Sequence, residues 1–345
     1  MNPVGLSVVG LGMGRNYASA FHEYDKSDLV AVCDFNSEIL AQVSSELGVK
    51  GYLSYSDMLK DPNVDAVAIS SPSYEHAPMG ILAALHGKHV LIDKPIATDL
   101  NAGDRLIEIC KEKRVKLAGM FQSRLDPMNV RMKKIVEEGQ IGKVFLIEGV
   151  VKWWRGDEDY YHRSKEVEMW KGSWFGEGGG SMANQGIHTV DQLHWIMGDV
   201  DTVYGQYTTV AHKIQAEDFS TALIRFNNSA VGYIICTTCA PEENQETRVS
   251  IYGTKGSISR TGDRLTMSID GFRETTGGEE MKRDTLSAPR GGPHDWLCHD
   301  FVDSILENRD PIVTGESALK TVEIVTGVYQ SALQGHPVKL PLPRY

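Results

Sequence analysis

The sequence predicts an α/β protein of two domains, the first a doubly wound parallel sheet with helices and the second an α/β domain on a mostly antiparallel sheet. Three observations support this fold class. Short apolar segments alternate with helical patterns in the first third of the chain, and consecutive strand-like segments come later. In addition, a chain of 345 residues is too long to fold around one ordinary hydrophobic core. We place the boundary between domains 1–122 and 123–345, where the rhythm changes.

The first domain is predicted from a regular alternation of strands and helices. The segments predicted as strands are VGLSVV, LVAVCD, DAVAIS, KHVLID and VKLAGM, and a helical pattern follows each of the first four. Because parallel neighbours need a long crossover connection, this order indicates a parallel sheet with helices between its strands.

The second domain has a different order. A helix is predicted in LDPMNVRMKKIVEEGQIG, a strand in KVFLIEGVVKWW, and another helix in SMANQGIHTVDQLHWIMG. The strand-like segments that follow are TVYGQYTTVA, STALIRFN, AVGYIICTT, TRVSIYG and RLTMSI. Short connections between consecutive strands indicate antiparallel pairing, and two helices are predicted near the C-terminus.

Composition excludes several classes of protein. A net charge of −11 argues against a nucleic-acid partner, and no apolar segment is long enough to span a membrane. The N-terminal segment lacks the basic start of a signal peptide, and the five cysteines show no disulfide spacing, so we expect a cytoplasmic protein. Cys236 and Cys239 form a CxxC within a predicted strand, where they point to opposite faces, so no metal site is expected.

A glycine-rich turn follows the first predicted strand. Gly10, Gly12 and Gly14 stand in VVGLGMGR, directly before the first predicted helix. Such glycines let backbone N–H groups reach a pyrophosphate, and the helix dipole favours its charge. Asp34 ends the second strand, where a carboxylate binds the adenosine ribose hydroxyls and repels a 2′-phosphate. This pattern predicts a Rossmann domain that prefers NAD to NADP, with a helix N-cap as the alternative role for Asp34.

Two further positions are typical of proton chemistry. Lys94 follows the strand KHVLID, at the sheet edge where ligands bind, although it could equally be a lysine exposed in a turn. His188 lies in a predicted helix, with Asn184 and Asp191 at i−4 and i+3 on the same face. This arrangement suits general acid–base chemistry near neutral pH, and a buried core histidine is the alternative.

The segment 153–174 is rich in aromatic and charged side chains, among them Arg155 and Tyr161. Aromatic faces stack on the C–H surfaces of sugars, while arginine and tyrosine hydrogen-bond to hydroxyls. The same residue types are typical of subunit interfaces. Substrate binding and subunit pairing therefore both remain open for this segment.

Together these motifs resemble the glucose–fructose oxidoreductase, inositol dehydrogenase and MocA family over essentially the whole chain. Besides the glycine turn, the resemblance lies in AISSPSYEHAPMGILAALHGKHVLIDKPIA, in the helix ending GIHTVDQLHWIMG, and in the C-terminal DFVDSILENRDPIVTGESALKTVEIVTGVYQSALQGHPVKLPL. It implies an N-terminal Rossmann domain and a C-terminal α/β domain with a large open sheet. That sheet would pair subunits into a homodimer or homotetramer.

The resemblance also implies the roles of individual residues. Lys94 is the catalytic lysine, His188 is the proton acceptor, and Asn184 positions His188. The cofactor-binding residues are Gly10, Gly12, Met13, Gly14, Asp34, Ser71, Pro72, His76, Asp93 and Lys94. The substrate-binding residues are Lys94, Gln122, Arg155, Tyr161, Asn184, His188 and Asp191. Two positions depart from the family: Asp93 replaces the usual Glu, and Asn184 stands where inositol dehydrogenase-like members carry Asp.

We therefore expect an NAD-dependent oxidoreductase that oxidises a secondary hydroxyl of a cyclic polyol, pyranose sugar or glycoside to a ketone. Two alternatives belong to other classes. One is a glycoside hydrolase that retains NAD and uses transient oxidation, and the other is a non-catalytic regulator that senses a sugar or dinucleotide.

Overall fold

The computed structural model describes residues 2–241, 245–277 and 291–344. Residues 2–122 and 291–320 form one compact unit, and the other described residues form a second. The division into domains 1–122 and 123–345 stays a prediction, but residues 291–320 lie in the first unit and not, as we expected, in the second. The α/β fold class, with one parallel and one mostly antiparallel sheet, is confirmed.

The first unit contains a parallel sheet in the order β3-β2-β1-β4-β5-β6. Its strands are β1 (Val4–Val9), β2 (Ser27–Cys33), β3 (Lys50–Tyr52), β4 (Ala66–Ile69), β5 (His89–Ile92) and β6 (Leu117–Gly119). This is the strand order of a dinucleotide-binding Rossmann sheet, and it reverses between β1 and β4. All but the short, largely exposed β3 were predicted from the apolar segments.

Helices connect these strands. They are α1 (Gly14–His22), α2 (Ser37–Leu47), α3 (Tyr55–Leu59), α4 (His76–Leu85) and α5 (Leu100–Lys113). Contacts with the turn after α1 explain why residues 291–320 belong to this unit. The rings of Tyr24 and His299 stack with centroids 4.0 Å apart, and the Tyr24 hydroxyl donates to Asp303 over 2.9 Å.

The sheet of the second unit has the order β14-β13-β12-β11-β7-β10-β9-β8-β15 among the described residues. Its strands are β7 (Val144–Lys152), β8 (Val200–Thr208), β9 (Phe219–Phe226), β10 (Val231–Thr237), β11 (Glu246–Gly253), β12 (Gly256–Thr261), β13 (Arg264–Ile269), β14 (Phe272–Gly277) and β15 (Val338–Lys339). Neighbouring strands are antiparallel except β7 and β10, which pair in parallel.

The remaining helices are α6 (Pro127–Glu137), α7 (Lys165–Glu168), α8 (Trp174–Glu177), α9 (Ile187–Met197), α10 (Pro293–Leu306) and α11 (Gly315–Gln334). The predicted helix over 181–198 begins differently from our expectation, since Ser181–Gly186 is a π-helical turn and α9 starts only at Ile187. None of the helices in the described part of the chain combines the length and apolar character needed to cross a membrane.

Candidate functional site

The glycine turn brings the backbone of the β1–α1 connection close to the end of β4. Gly10 has φ +82°, and a Cβ on it would lie 2.5 Å from the carbonyl oxygen of Ser70. A Cβ on Gly14 would lie 3.0 Å from a methyl group of Val8, whereas one on Gly12 would meet no atom of the described residues within 4 Å. Gly10 and Gly14 therefore serve close packing, and Gly12 leaves the approach to the start of α1 open. Met13, at the N-cap of α1, is half exposed.

Asp34 holds the glycine turn against the end of β2. Its Oδ2 accepts a hydrogen bond from the backbone N–H of Leu11 over 2.7 Å, and its Oδ1 accepts one from Asn36 over 2.8 Å. The N-cap of α2 is Asn36, whose side chain accepts from the N–H groups of Glu38 and Ile39. The alternative role of Asp34 as the N-cap is therefore wrong.

The ends of β4 and β5 carry the next predicted residues. Asp93 accepts from the backbone N–H of Lys94 over 2.7 Å and from the Ser70 hydroxyl over 3.2 Å, so it fixes the backbone at Lys94. Lys94 itself is partly exposed. Burial, and then the charge of Asp93, raise the pKa of Tyr17 well above its usual value, so this phenol stays protonated beside the carboxylate.

His76 is the first residue of α4. Its Nδ1 is 2.6 Å from the carbonyl oxygen of Pro95 and its Nε2 is 2.9 Å from that of Ser71. The side chain is buried, and burial lowers its pKa. The expectation of a direct cofactor contact is corrected, because both ring nitrogens contact backbone carbonyls that hold the two loops together.

These residues fit an NAD molecule at the point where the strand order reverses. The open approach at Gly12 meets the N-terminus of α1, a site suited to a pyrophosphate. The Ser71 hydroxyl, which we expected to bind the cofactor together with Pro72, is buried and has no hydrogen-bond partner among the described residues. A buried hydroxyl in that state is rare in a folded protein and indicates a ligand contact.

In the second unit, Asn184 and His188 are partly exposed, whereas Asp191 is fully buried. The helix α9 packs tightly on the sheet, since a Cβ on Gly149 in β7 would lie 2.8 Å from the side chain of Thr189 in α9. The direction of packing therefore separates His188 from Asp191, which helical spacing had placed on one face.

Asp191 forms a buried ion pair and not the expected substrate contact. Its two oxygens accept from Nε and Nη2 of Arg124 over 2.9 and 2.5 Å, and Oδ1 also accepts from the Thr321 hydroxyl over 3.0 Å. Asp191 has 0% and Arg124 3% of the side-chain surface exposed. We therefore correct its role, because this pair joins α9 to the turn before α6 and to α11.

The segment 153–174 contributes both buried and accessible side chains. Tyr161 is buried, and its hydroxyl donates to Thr238 over 3.0 Å, so the expected substrate contact of Tyr161 is also corrected. Arg155 lies 4.8 Å above the ring of Trp153 and donates to Gln185 over 3.2 Å.

Gln122 begins a short 3₁₀ turn and is partly exposed. Its Oε1 is buried and lacks a hydrogen-bond partner among the residues described. As at the Ser71 hydroxyl, such an atom indicates a ligand contact.

Sequence reasoning missed a polar cluster that surrounds Asn184. The carboxylate of Glu177 accepts from Asn184 Nδ2, from the backbone N–H of Gly172 over 2.6 Å and from Lys171 Nζ over 3.4 Å. The Tyr160 hydroxyl lies 3.4 Å from Asn184 Oδ1. No regular spacing links these residues in the sequence, so only the folded loop brings them together.

A second missed carboxylate, Glu217, holds the start of the π-helical turn. It accepts from the backbone N–H groups of Ser181 and Met182 and from the Tyr329 hydroxyl, the last two over 2.9 and 2.6 Å. Burial raises the pKa of Glu217 to about 7, although each of these hydrogen bonds lowers it.

His212, Asp218 and Cys239 bring three candidate ligand atoms within 4.8 Å of one another. The carboxylate of Asp218 already accepts from the backbone N–H groups of residues 210–212. The ring nitrogens of His212 contact Asp157 and the carbonyl oxygen of Thr238. A metal ion would have to replace these hydrogen bonds, which hold the loop after β8.

Comparisons with known proteins agree with this architecture. Residues 4–121 match the family model described as "Oxidoreductase family, NAD-binding Rossmann fold", and residues 133–340 match its "C-terminal alpha/beta domain". Myo-inositol 2-dehydrogenase of Thermotoga maritima is 26% identical over 97% of this chain and 98% of its own. D-apiose dehydrogenase of Rhizobium rhizogenes is 26% identical over 97% and 96%.

Among solved structures, the WlbA dehydrogenase of Bordetella pertussis in complex with NADH and UDP-GlcNAcA superposes with a TM-score of 0.89. It is 29% identical, and the match covers 99% of both chains. The family resemblance and the NAD cofactor predicted from the sequence are confirmed. This chain belongs to the Gfo/Idh/MocA family of oxidoreductases, and its first unit is the NAD-binding Rossmann fold of that family.

Proposed function

We propose that this protein is an NAD-dependent dehydrogenase that oxidises a secondary hydroxyl of a cyclic polyol, pyranose sugar or glycoside to a ketone. The observation that carries the proposal is the combination of a dinucleotide-binding edge, with Lys94 following β5, and the polar cluster around Asn184 and His188. The similarity over nearly the whole chain to dehydrogenases of myo-inositol and D-apiose supports this substrate class.

The cofactor is proposed to be held by Gly10, Gly12 and Gly14 at its pyrophosphate, by Asp34 at the adenosine ribose, and by Ser71 at the nicotinamide ribose. When bound, NAD supplies the hydride acceptor. Asp34 favours NAD over NADP because a carboxylate repels a 2′-phosphate.

Three residues are proposed for the chemistry. Lys94 donates a hydrogen bond to the substrate hydroxyl and favours its alkoxide, while His188 accepts the hydroxyl proton. Asn184 belongs to the turn that leads into α9 and positions His188. Arg155 and Gln122 are proposed to bind substrate hydroxyls, since each is partly exposed and carries polar atoms.

We also propose that the outward face of the second unit's sheet pairs subunits. Leu223 in β9 lies between Tyr233 of β10 and Tyr204 of β8 on this face, and Leu223 is 57% exposed. Tyr204 is also exposed, at 36%, and neighbouring exposed apolar side chains on one sheet face are typical of an interaction surface. Leu223→Glu should lower the mass measured by light scattering from an oligomer toward that of one chain.

The proposed function is tested by incubating the purified protein with NAD and separate inositols, aldoses, ketoses and glycosides while NADH absorbance is followed. A dehydrogenase should produce NADH in proportion to the ketone formed. Release of a free sugar from a glycoside without net NADH would support the hydrolase instead. Binding of sugars without either reaction would support the regulator.

We expect a cytoplasmic protein, consistent with the five free cysteines.

A further inference from the structure

A buried carboxylate lies directly beside Asn184. Glu177, at the end of α8, has 1% of its side chain exposed, and Asn184 Nδ2 donates to its Oε1. Oε2 accepts from the backbone N–H of Gly172 over 2.6 Å. The carboxylate is therefore fixed by the backbone at Gly172 and contacts the predicted site at Asn184.

This contact determines which way the amide of Asn184 faces. A carboxylate only accepts hydrogen bonds, so the NH₂ group must point to Glu177 and the carbonyl oxygen must point away from it. Asn184 Oδ1 accordingly accepts from Gln185 Nε2 over 2.9 Å and lies 3.4 Å from the Tyr160 hydroxyl. With the amide of Asn184 reversed, its NH₂ group would face the NH₂ group of Gln185, and its Oδ1 would face the carboxylate of Glu177.

Lys171 compensates the buried charge of Glu177. Its Nζ lies 3.4 Å from Glu177 Oε1 and above the rings of Tyr160 and Trp170, at 4.4 and 4.6 Å from their centroids. Burial acts to lower the pKa of Lys171, but the charge of Glu177 and the Tyr160 ring hydroxyl outweigh it and raise the pKa. The ammonium therefore stays charged and keeps the carboxylate stable inside the loop.

We propose that Glu177 is a positioning residue for Asn184, whose amide it holds with Oδ1 turned toward Tyr160 and Gln185. The consequence for turnover rests on the proposed function of Asn184 and His188. The hydrogen-bonded pair consists of one acid, at position 177, and one amide, at position 184. An acid at both positions would bring two carboxylates together, and an amide at both would leave the orientation undetermined.

A double-mutant cycle tests this assignment. Glu177→Gln leaves one oxygen to serve both Gly172 and Asn184, and should lower kcat/KM about 10-fold or more. Asn184→Asp alone sets a carboxylate against Glu177 and should lower kcat/KM by up to about 10²-fold. The exchange Glu177→Gln with Asn184→Asp restores one acid and one amide, and should return kcat/KM to within about 10-fold of the unmodified protein. Glu158→Gln, on an exposed glutamate of the segment 153–174, is the control for the same chemical change and should change neither kcat/KM nor Tm.

Thermal unfolding of the same variants gives a second reading that needs no substrate. Each single substitution should lower Tm by about 5 °C, and the exchange should recover most of that loss. NADH binding, followed by its fluorescence, should be unchanged in all variants. If the losses of the two single substitutions simply add in the double variant, in both Tm and log kcat/KM, the assignment of Glu177 is wrong. If the effects on Tm are coupled but the protein oxidises no sugar or polyol, the positioning of Asn184 by Glu177 stands. Only the proposed function would then be rejected.

Discussion

The pair of Arg124 and Asp191 allows a sharp test of how burial changes the role of a residue. Both side chains are almost completely buried and share two hydrogen bonds of 2.9 and 2.5 Å. Asp191→Ala removes the carboxylate from a guanidinium that cannot lose its charge inside a protein. We expect this substitution to destabilise the second unit strongly, through loss of the ion pair and not through loss of substrate binding.

The size of the effect follows from the geometry. Removing one partner of a buried, hydrogen-bonded ion pair costs about 3–5 kcal/mol. For a unit of this size, 1 kcal/mol lowers Tm by roughly 2–4 °C, so Asp191→Ala should lower Tm by roughly 6–20 °C. Differential scanning calorimetry measures the shift, and NADH fluorescence shows whether the first unit is still folded.

A matched double variant separates charge from packing. Arg124→Met with Asp191→Leu replaces both charges by apolar side chains and should recover much of the stability, because the desolvation of both charges is then avoided. If Asp191→Asn left Tm unchanged and raised only the KM for the substrate, Asp191 would be a substrate ligand. The buried ion pair would then contribute little to stability.

Three other outcomes are expected. Asp34→Ala should reduce the preference for NAD over NADP in kcat/KM, and better use of NADP by the unmodified protein would contradict the role of Asp34. Lys94→Ala should lower kcat by about 10²–10⁴-fold while NADH binding, measured by fluorescence, is retained; near-normal turnover would refute its assignment. For Glu217, the folded state holds the proton more tightly than the unfolded chain, since burial raises its pKa from 4.5 to about 7. Stability should therefore fall as pH rises from about 4.5 to about 7, by up to about 3 kcal/mol, and Glu217→Gln should flatten this part of the Tm profile.

Local patterns in the sequence determined much of this protein. Alternating apolar segments and helical periods predict every strand of the parallel sheet except β3, because a strand buried on both faces is a short apolar segment, whereas β3 is largely exposed. The turn at Gly10 was predicted from its glycine-rich sequence, and a Cβ at Gly10 would lie 2.5 Å from the carbonyl oxygen of Ser70, an approach of two backbones that requires glycine. Asp34 directly follows β2, as predicted, because the end of this strand can be read from the end of its apolar segment.

Tertiary packing decided what spacing along the chain could not. Helical geometry places Asp191 near His188, but the sheet beneath α9 and the arginine of a distant turn determine that only His188 stays accessible. His76 and Tyr161 were likewise assigned to ligands, yet both are buried, with their polar atoms bonded within the protein. Glu177 shows the converse, since no spacing links it to Asn184. Burial and the pairing of polar groups arise from contacts between segments far apart in sequence, and these exist only in the folded chain.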